Sequence, residues 1–123
     1  MQLNLVPEMI AREDGSSEEI ALGTMGGKPL LLTLDITRIV EQENLDVSIW
    51  GSSDKEQWRQ IAAYPQKFYC GTYLMLLDLT RELQVRYLKV QWRMGRWNDS
   101  GPSPVAGFHL AAEVLRVRAA GAA

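Results

Sequence analysis

Leu30-Leu31-Leu32-Thr33-Leu34-Asp35-Ile36-Thr37 decides the fold. In a strand, successive side chains point to opposite sides of the sheet, so residues of one parity share a face. Leu30, Leu32, Leu34 and Ile36 then form one apolar row, and Thr33, Asp35 and Thr37 the other. A helix would scatter these two sets around its circumference. The stretch is therefore a half-buried strand, opened by the turn-forming Gly26-Gly27-Lys28-Pro29.

The same alternation recurs along the chain. Leu45, Val47 and Ile49 read inward while Asp46, Ser48 and Trp50 read outward. Leu88, Val90 and Trp92 make the next inward row, with Tyr87, Lys89, Gln91 and Arg93 opposite. Phe108, Leu110 and Ala112 make another, opposite His109 and Glu113. Turn chemistry separates these runs. Asp14-Gly15-Ser16-Ser17 predicts a hairpin between Met9–Glu13 and Glu18–Leu22, Gly51-Ser52-Ser53-Asp54 closes the second run, and Trp97-Asn98-Asp99-Ser100-Gly101-Pro102 closes a later one. Thr80-Arg81-Glu82-Leu83-Gln84 is too short for a stable helix and reads as a polar turn between the strands Tyr73–Leu79 and Val85–Arg93. Ala111–Ala120 carries strong helix formers, yet the alternation to Val117 favours a strand. The expectation is an all-β fold: an antiparallel β-sandwich, jelly-roll-like, of roughly eight strands. Residues 1–118 form a single domain in this reading, and 119–123 a loose tail.

Composition bounds the function. A chain of 123 residues, 46% hydrophobic and 23% charged, has the balance of an ordinary globular domain able to bury its own core. A net charge of −2 lacks the basic excess that phosphate backbones require, so nucleic acid is not expected as a partner. No run approaches the roughly 18 consecutive apolar residues of a membrane helix. The start, Met1 to Glu8, has no basic segment ahead of an apolar one and does not read as a signal peptide. The single cysteine, Cys70, cannot form an intrachain disulfide and reads as a small apolar filler. A cytoplasmic or virion-associated location is favoured.

Catalytic chemistry is not visible. The one histidine, His109, lies within a strand and reads as a surface or hydrogen-bonded residue rather than a general base. One His and one Cys do not make a zinc site, and the acidic groups Asp14/Glu18/Glu19 and Glu41/Glu43/Asp46 lack the spacing of an EF-hand loop. No catalytic residue, metal or cofactor is expected.

Tryptophan is the unusual feature, with four in 123 residues. Trp58 and Trp92 read as core. Trp50 has outward parity, and Trp97 sits in a turn beside Arg96. Exposed aromatic rings beside Arg are the composition of interface anchors and of stacking platforms. Trp50, Tyr69, Arg93, Arg96 and Trp97 are therefore the candidate contacts for a ligand or partner. Tyr69 belongs to the aromatic stretch Tyr64–Tyr73, which reads either as a binding loop or as a cover over the open end of the sandwich.

From Leu45 to Ile61, a strand runs into a Ser-x-Asp turn (Ser52-Ser53-Asp54) followed by Trp58, which resembles the strand-turn-strand of discoidin-like, or galactose-binding-like, jelly rolls. Leu77-Asp78-Leu79 and Val85–Val90 look like that family's closing strands. Over about Pro29 to Leu110 the chain also resembles the small β-sandwich proteins among bacteriophage head and tail accessory proteins. They share the apolar first strand, the strand-turn-Trp element, a start like Gly71-Thr72-Tyr73, and an aromatic-Leu-Lys-Val-x-Trp strand. Lys55 stands where glycine is common in both families. The phage resemblance implies a non-catalytic structural or assembly protein whose partners are its own copies or other protein subunits. The discoidin resemblance implies a carbohydrate- or small-ligand-binding module.

Overall fold

The computed structural model describes residues 2–40, 43–96 and 105–115. These build nine strands: β1 (Gln2–Ala11), β2 (Gly15–Ser16), β3 (Ile20–Ala21), β4 (Pro29–Ile39), β5 (Glu43–Ser52), β6 (Arg59–Ala63), β7 (Gly71–Asp78), β8 (Tyr87–Arg96) and β9 (Ala106–Val114). The first sheet has the order β1-β9-β4-β7, and the second has β2-β8-β5-β6 with β3 also on β8. All pairings are antiparallel. The expected antiparallel sandwich is thus the fold. The short two-residue pieces β2 and β3 account for the count exceeding eight.

Alternation places the core where the sequence put it. Leu30, Leu32 and Leu34 are fully buried on β4, as are Leu45 and Ile49 on β5 and Leu88 and Val90 on β8. The two sheets meet at Trp92 and Phe108, whose rings pack edge to face with centroids 5.4 Å apart. Trp92 keeps its polar handle satisfied by donating Nε1–H to the Glu13 carbonyl at 3.1 Å. Gly15 lies flat on the same indole: a Cβ there would fall 2.7 Å from the ring.

The predicted hairpin around Asp14-Gly15-Ser16-Ser17 does not form. β1 pairs with β9 in the first sheet, whereas β2 and β3 pair with β8 in the second, so this segment is a crossing between sheets. Its turn-type residues serve another purpose. Asp14 Oδ1 accepts the Met94 N–H at 2.7 Å, and Ser17 Oγ accepts the Val90 N–H at 2.9 Å. Their side chains replace ladder partners along an edge too irregular for a regular strand. The polar turn at Thr80–Gln84 is as expected, with the flanking strands ending at Asp78 and resuming at Tyr87. The last strand ends at Val114, one residue short of Leu115, whose N–H donates to the Pro29 carbonyl at 2.9 Å, and the rest of the expected continuation, Arg116 and Val117, lies outside the described residues.

Candidate interaction surfaces

The outer face of the second sheet carries two of the five residues singled out from sequence, Trp50 and Arg93. Trp50 stands opposite Lys89 of β8 and Gln60 of β6, half-buried, and donates Nε1–H to Ser48 Oγ at 2.9 Å. Arg93 is exposed on the same face, opposite Asp46. The backbone of Arg96 ends β8 opposite Glu43, which is fully buried and accepts the Val40 N–H at 2.9 Å. Tyr69 lies on the segment that crosses from β6 to β7, 76% exposed, its carbonyl accepting the Tyr73 hydroxyl at 2.7 Å. Trp97 lies outside the described residues. Trp50 and Arg93 therefore share a face, while Tyr69 belongs to a crossing segment.

Trp58 corrects an expectation. It is half-buried on the outer side rather than in the core, with Nε1 donating to the Lys55 carbonyl at 3.1 Å and Lys89 Nζ 4.5 Å from its ring centre. The cause is the turn before it. Asp54 Oδ1 accepts the N–H groups of Glu56 and Gln57, and Ser52 Oγ accepts those of Asp54 and Lys55, so residues 53–57 are wound tightly beyond the end of β5. Bonds from Gln57 and Glu56, then Ser52, hold the Asp54 carboxyl below its usual pKa. Lys55 adopts φ +68°, the left-handed conformation for which glycine is favoured. Its ammonium lies 4.9 Å from the Tyr87 ring centre. Cys70 corrects a second expectation: it is exposed, because it falls on the crossing segment rather than on an inward strand position.

The aromatic stretch both covers and exposes. Tyr64 is 5% exposed, its hydroxyl buried without a hydrogen-bond partner among the described residues. Burial first, and Asp35 second, push its pKa well above the usual phenol value. Tyr73 is half-buried beneath Lys67, whose Nζ lies 4.1 Å from the ring centre.

An open cleft of about 280 Å³ lies beside the Asp54 turn, lined by Ser52, Trp58, Arg59, Gln84 and Val85 among others, with Arg59 paired to Glu82 at its side. Its carboxylate, Asp54, already accepts the turn's own donors. The only histidine is on the outer face of the other sheet. His109 Nε2 lies 2.8 Å from Asp35 Oδ2, and Thr72 Oγ1 donates to the other Asp35 oxygen. The order is thus Thr-Asp-His, with the hydroxyl on the carboxylate and not on the imidazole, whose Nδ1 is buried. That geometry does not activate a nucleophile. Among the described residues no three metal-ligating side chains converge, and no helix is long and apolar enough to cross a membrane.

The outer face of the first sheet holds a further surface, outside the inward rows. Thr33 of β4 stands opposite Leu74 of β7 and Ala111 of β9, and Leu31 opposite Leu76 and Glu113. Leu74 is 63% exposed and Leu76 56%. Their inward neighbours Tyr73, Met75 and Leu77 are apolar too. The signal was the unbroken run Tyr73-Leu74-Met75-Leu76-Leu77, since a strand without alternation is apolar on both faces.

Neither a protein-family model nor a curated protein sequence matches this chain. Solved structures do. A chain in the structure of infectious bursal disease virus, Gt strain, is 12% identical with a TM-score of 0.56, covering 91% of this chain and 31% of that one. The VP2 subviral particle of infectious bursal disease virus gives 13% identity and a TM-score of 0.47 over 93% of this chain and 32% of that one. This chain spans about a third of the length of those proteins. At such identity what is shared is a fold, and the β-sandwich of this chain is one that a viral structure also contains.

Proposed function

We propose that this protein is a non-catalytic structural β-sandwich that assembles with its own copies or with other subunits, as a component of a viral or phage-derived particle. The observation that carries the reading is an apolar patch on the outer face of the first sheet, where Leu74 and Leu76 stand in solvent beside Leu31. Adjacent exposed leucines on one strand cost solubility unless a partner covers them. The fold likeness to a viral structure supports the same reading. The assembling unit is the single domain of residues 1–118, with 119–123 as its tail, and its location is virion-associated. The test is the solution mass of the purified protein by size-exclusion chromatography with light scattering over a range of concentration and salt. A species larger than the monomer is expected, and a monomer throughout would overturn self-assembly.

A second reading, a glycan-binding module using Trp50, Tyr69, Arg93, Arg96 and Trp97, is favoured by one observation, the open ring of Tyr69. Against it, the rings of Trp58, Tyr73 and Tyr87 each carry a lysine ammonium on one face, where a sugar would have to stack. Glycan binding abolished by Tyr69→Ala or Trp97→Ala at unchanged solution mass would establish it over the first.

A further inference from the structure

The sandwich has four sheet edges, and three of them are blunted. Edge β1 contains Pro7, which cannot donate to a neighbouring strand, and its register against β9 shifts twice. Edge β6 has five residues and a register shift against β5. The opposite edge of that sheet is broken into β2 and β3, of two residues each. Edge β7 is different. It runs for eight residues in unbroken register with β4, has no proline or lysine, and carries one charge, Asp78, at its last position. Proteins commonly protect long regular edges with bulges, prolines, lysines or shortness, and none of these protects β7.

We propose that β7 pairs with β7 of a second copy, antiparallel about a two-fold axis through Met75, joining two first sheets into one continuous sheet. The inference rests on the assembly reading and specifies its interface. A two-fold axis normal to the sheet makes the strands antiparallel and keeps outer faces together, which restricts the axis to pass through a residue. With Met75 at the axis, Leu74 lies opposite Leu76 of the second copy, and Leu76 opposite its Leu74. An axis at Leu76 would set Leu74 against Asp78, and one at Asp78 would set two carboxylates face to face. The Met75 register instead holds the two Asp78 groups at opposite ends, roughly 20 Å apart and beyond effective screening distance. One strand edge buries less than the roughly 1,200 Å² of the smaller stable interfaces, so this dimer dissociates on dilution.

The test uses the full chain with Cys70→Ser, so that added cysteines are the only thiols. Leu74→Cys protein and Leu76→Cys protein are each oxidised alone and then as a mixture. Residues directly opposite are close enough for a disulfide, whereas 74 against 74 or 76 against 76 is a diagonal near the limit. The mixture is expected to give a reducible 74–76 cross-linked dimer several times more abundant than either protein alone. In parallel, Leu74→Lys/Leu76→Lys, with circular dichroism to verify its fold, is expected to dimerise at least tenfold more weakly than the parent by light scattering. A parent that self-associates while these variants associate equally well, or cross-link no better when mixed, overturns the β7 interface and leaves the assembly reading standing. A parent that stays monomeric up to about millimolar concentration, the range of the weakest specific association, overturns the β7 interface and self-assembly together.

Discussion

Trp92 of β8 meets Phe108 of β9 edge to face, and this contact ties the second sheet to the first across the middle of the sandwich. Phe108 is fully buried, so Phe108→Ala removes both its transfer energy and its packing and is expected to cost about 3–5 kcal/mol. Gly15→Ala drives a methyl group into the Trp92 ring and is expected to cost about 1–3 kcal/mol without any change in the core sequence. Urea denaturation followed by tryptophan fluorescence measures both. A neutral Gly15→Ala would show that the crossing segment moves freely off the indole.

Asp54 gives the turn before Trp58 a defined response to acid. Its folded pKa lies below the unfolded value of about 3.9, so its contribution is present above that value and disappears as pH falls through the folded pKa. The parent is therefore more stable than Asp54→Asn at neutral pH, and the gap narrows as pH is lowered from about 5 toward 2, where the carboxyl is itself neutral. Thermal melts of both proteins across that range provide the measurement. A gap independent of pH would assign the effect to amide geometry instead of charge.

Lys55 holds a backbone conformation that a β-branched residue resists and glycine accepts. Lys55→Gly is expected to be more stable than Lys55→Val by at least about 1 kcal/mol, measured by chemical denaturation. Equal stabilities would mean that the turn relaxes out of the left-handed region.

Tyr64 buries a hydroxyl that has no partner among the described residues. Removing such a group leaves no acceptor or donor stranded, so Tyr64→Phe is expected to be neutral or more stable, by up to about 2 kcal/mol. A loss larger than about 1 kcal/mol in urea titration would reveal that the hydroxyl is hydrogen-bonded after all.

His109 and Asp35 form a partly exposed pair across the β4–β9 ladder. Side-chain exposures of 35% and 27% leave it open to water and salt, which limits its worth to under about 1 kcal/mol. A double-mutant cycle with Asp35→Ala and His109→Ala is expected to give a coupling of that size. Coupling above about 2 kcal/mol would place the pair in a drier environment than its exposure implies.

The inward rows at Leu30–Ile36, Leu45–Ile49, Leu88–Trp92 and Phe108–Ala112 were legible because alternation is a local property, written in neighbouring residues. The hairpin at Asp14–Ser17 was misread for the converse reason. Asp, Gly and Ser signal chain reversal whether they bend the chain back on itself or carry it to another sheet, and only the pairing with β8 distinguishes the two. Trp58 was assigned to the core by its residue type, and the hydrogen bonds of Ser52 and Asp54 place it outside.

Residue order by itself determined the strand class and the face on which each leucine of β4 lies, since both follow from side chains a few positions apart. Which strand stands at an unprotected edge was decided only by tertiary structure. Leu74 and Leu76 lie on the outer face of β7, which has β4 on one side and no strand among the described residues on the other, and strand neighbours are fixed by hydrogen bonds between segments dozens of residues apart.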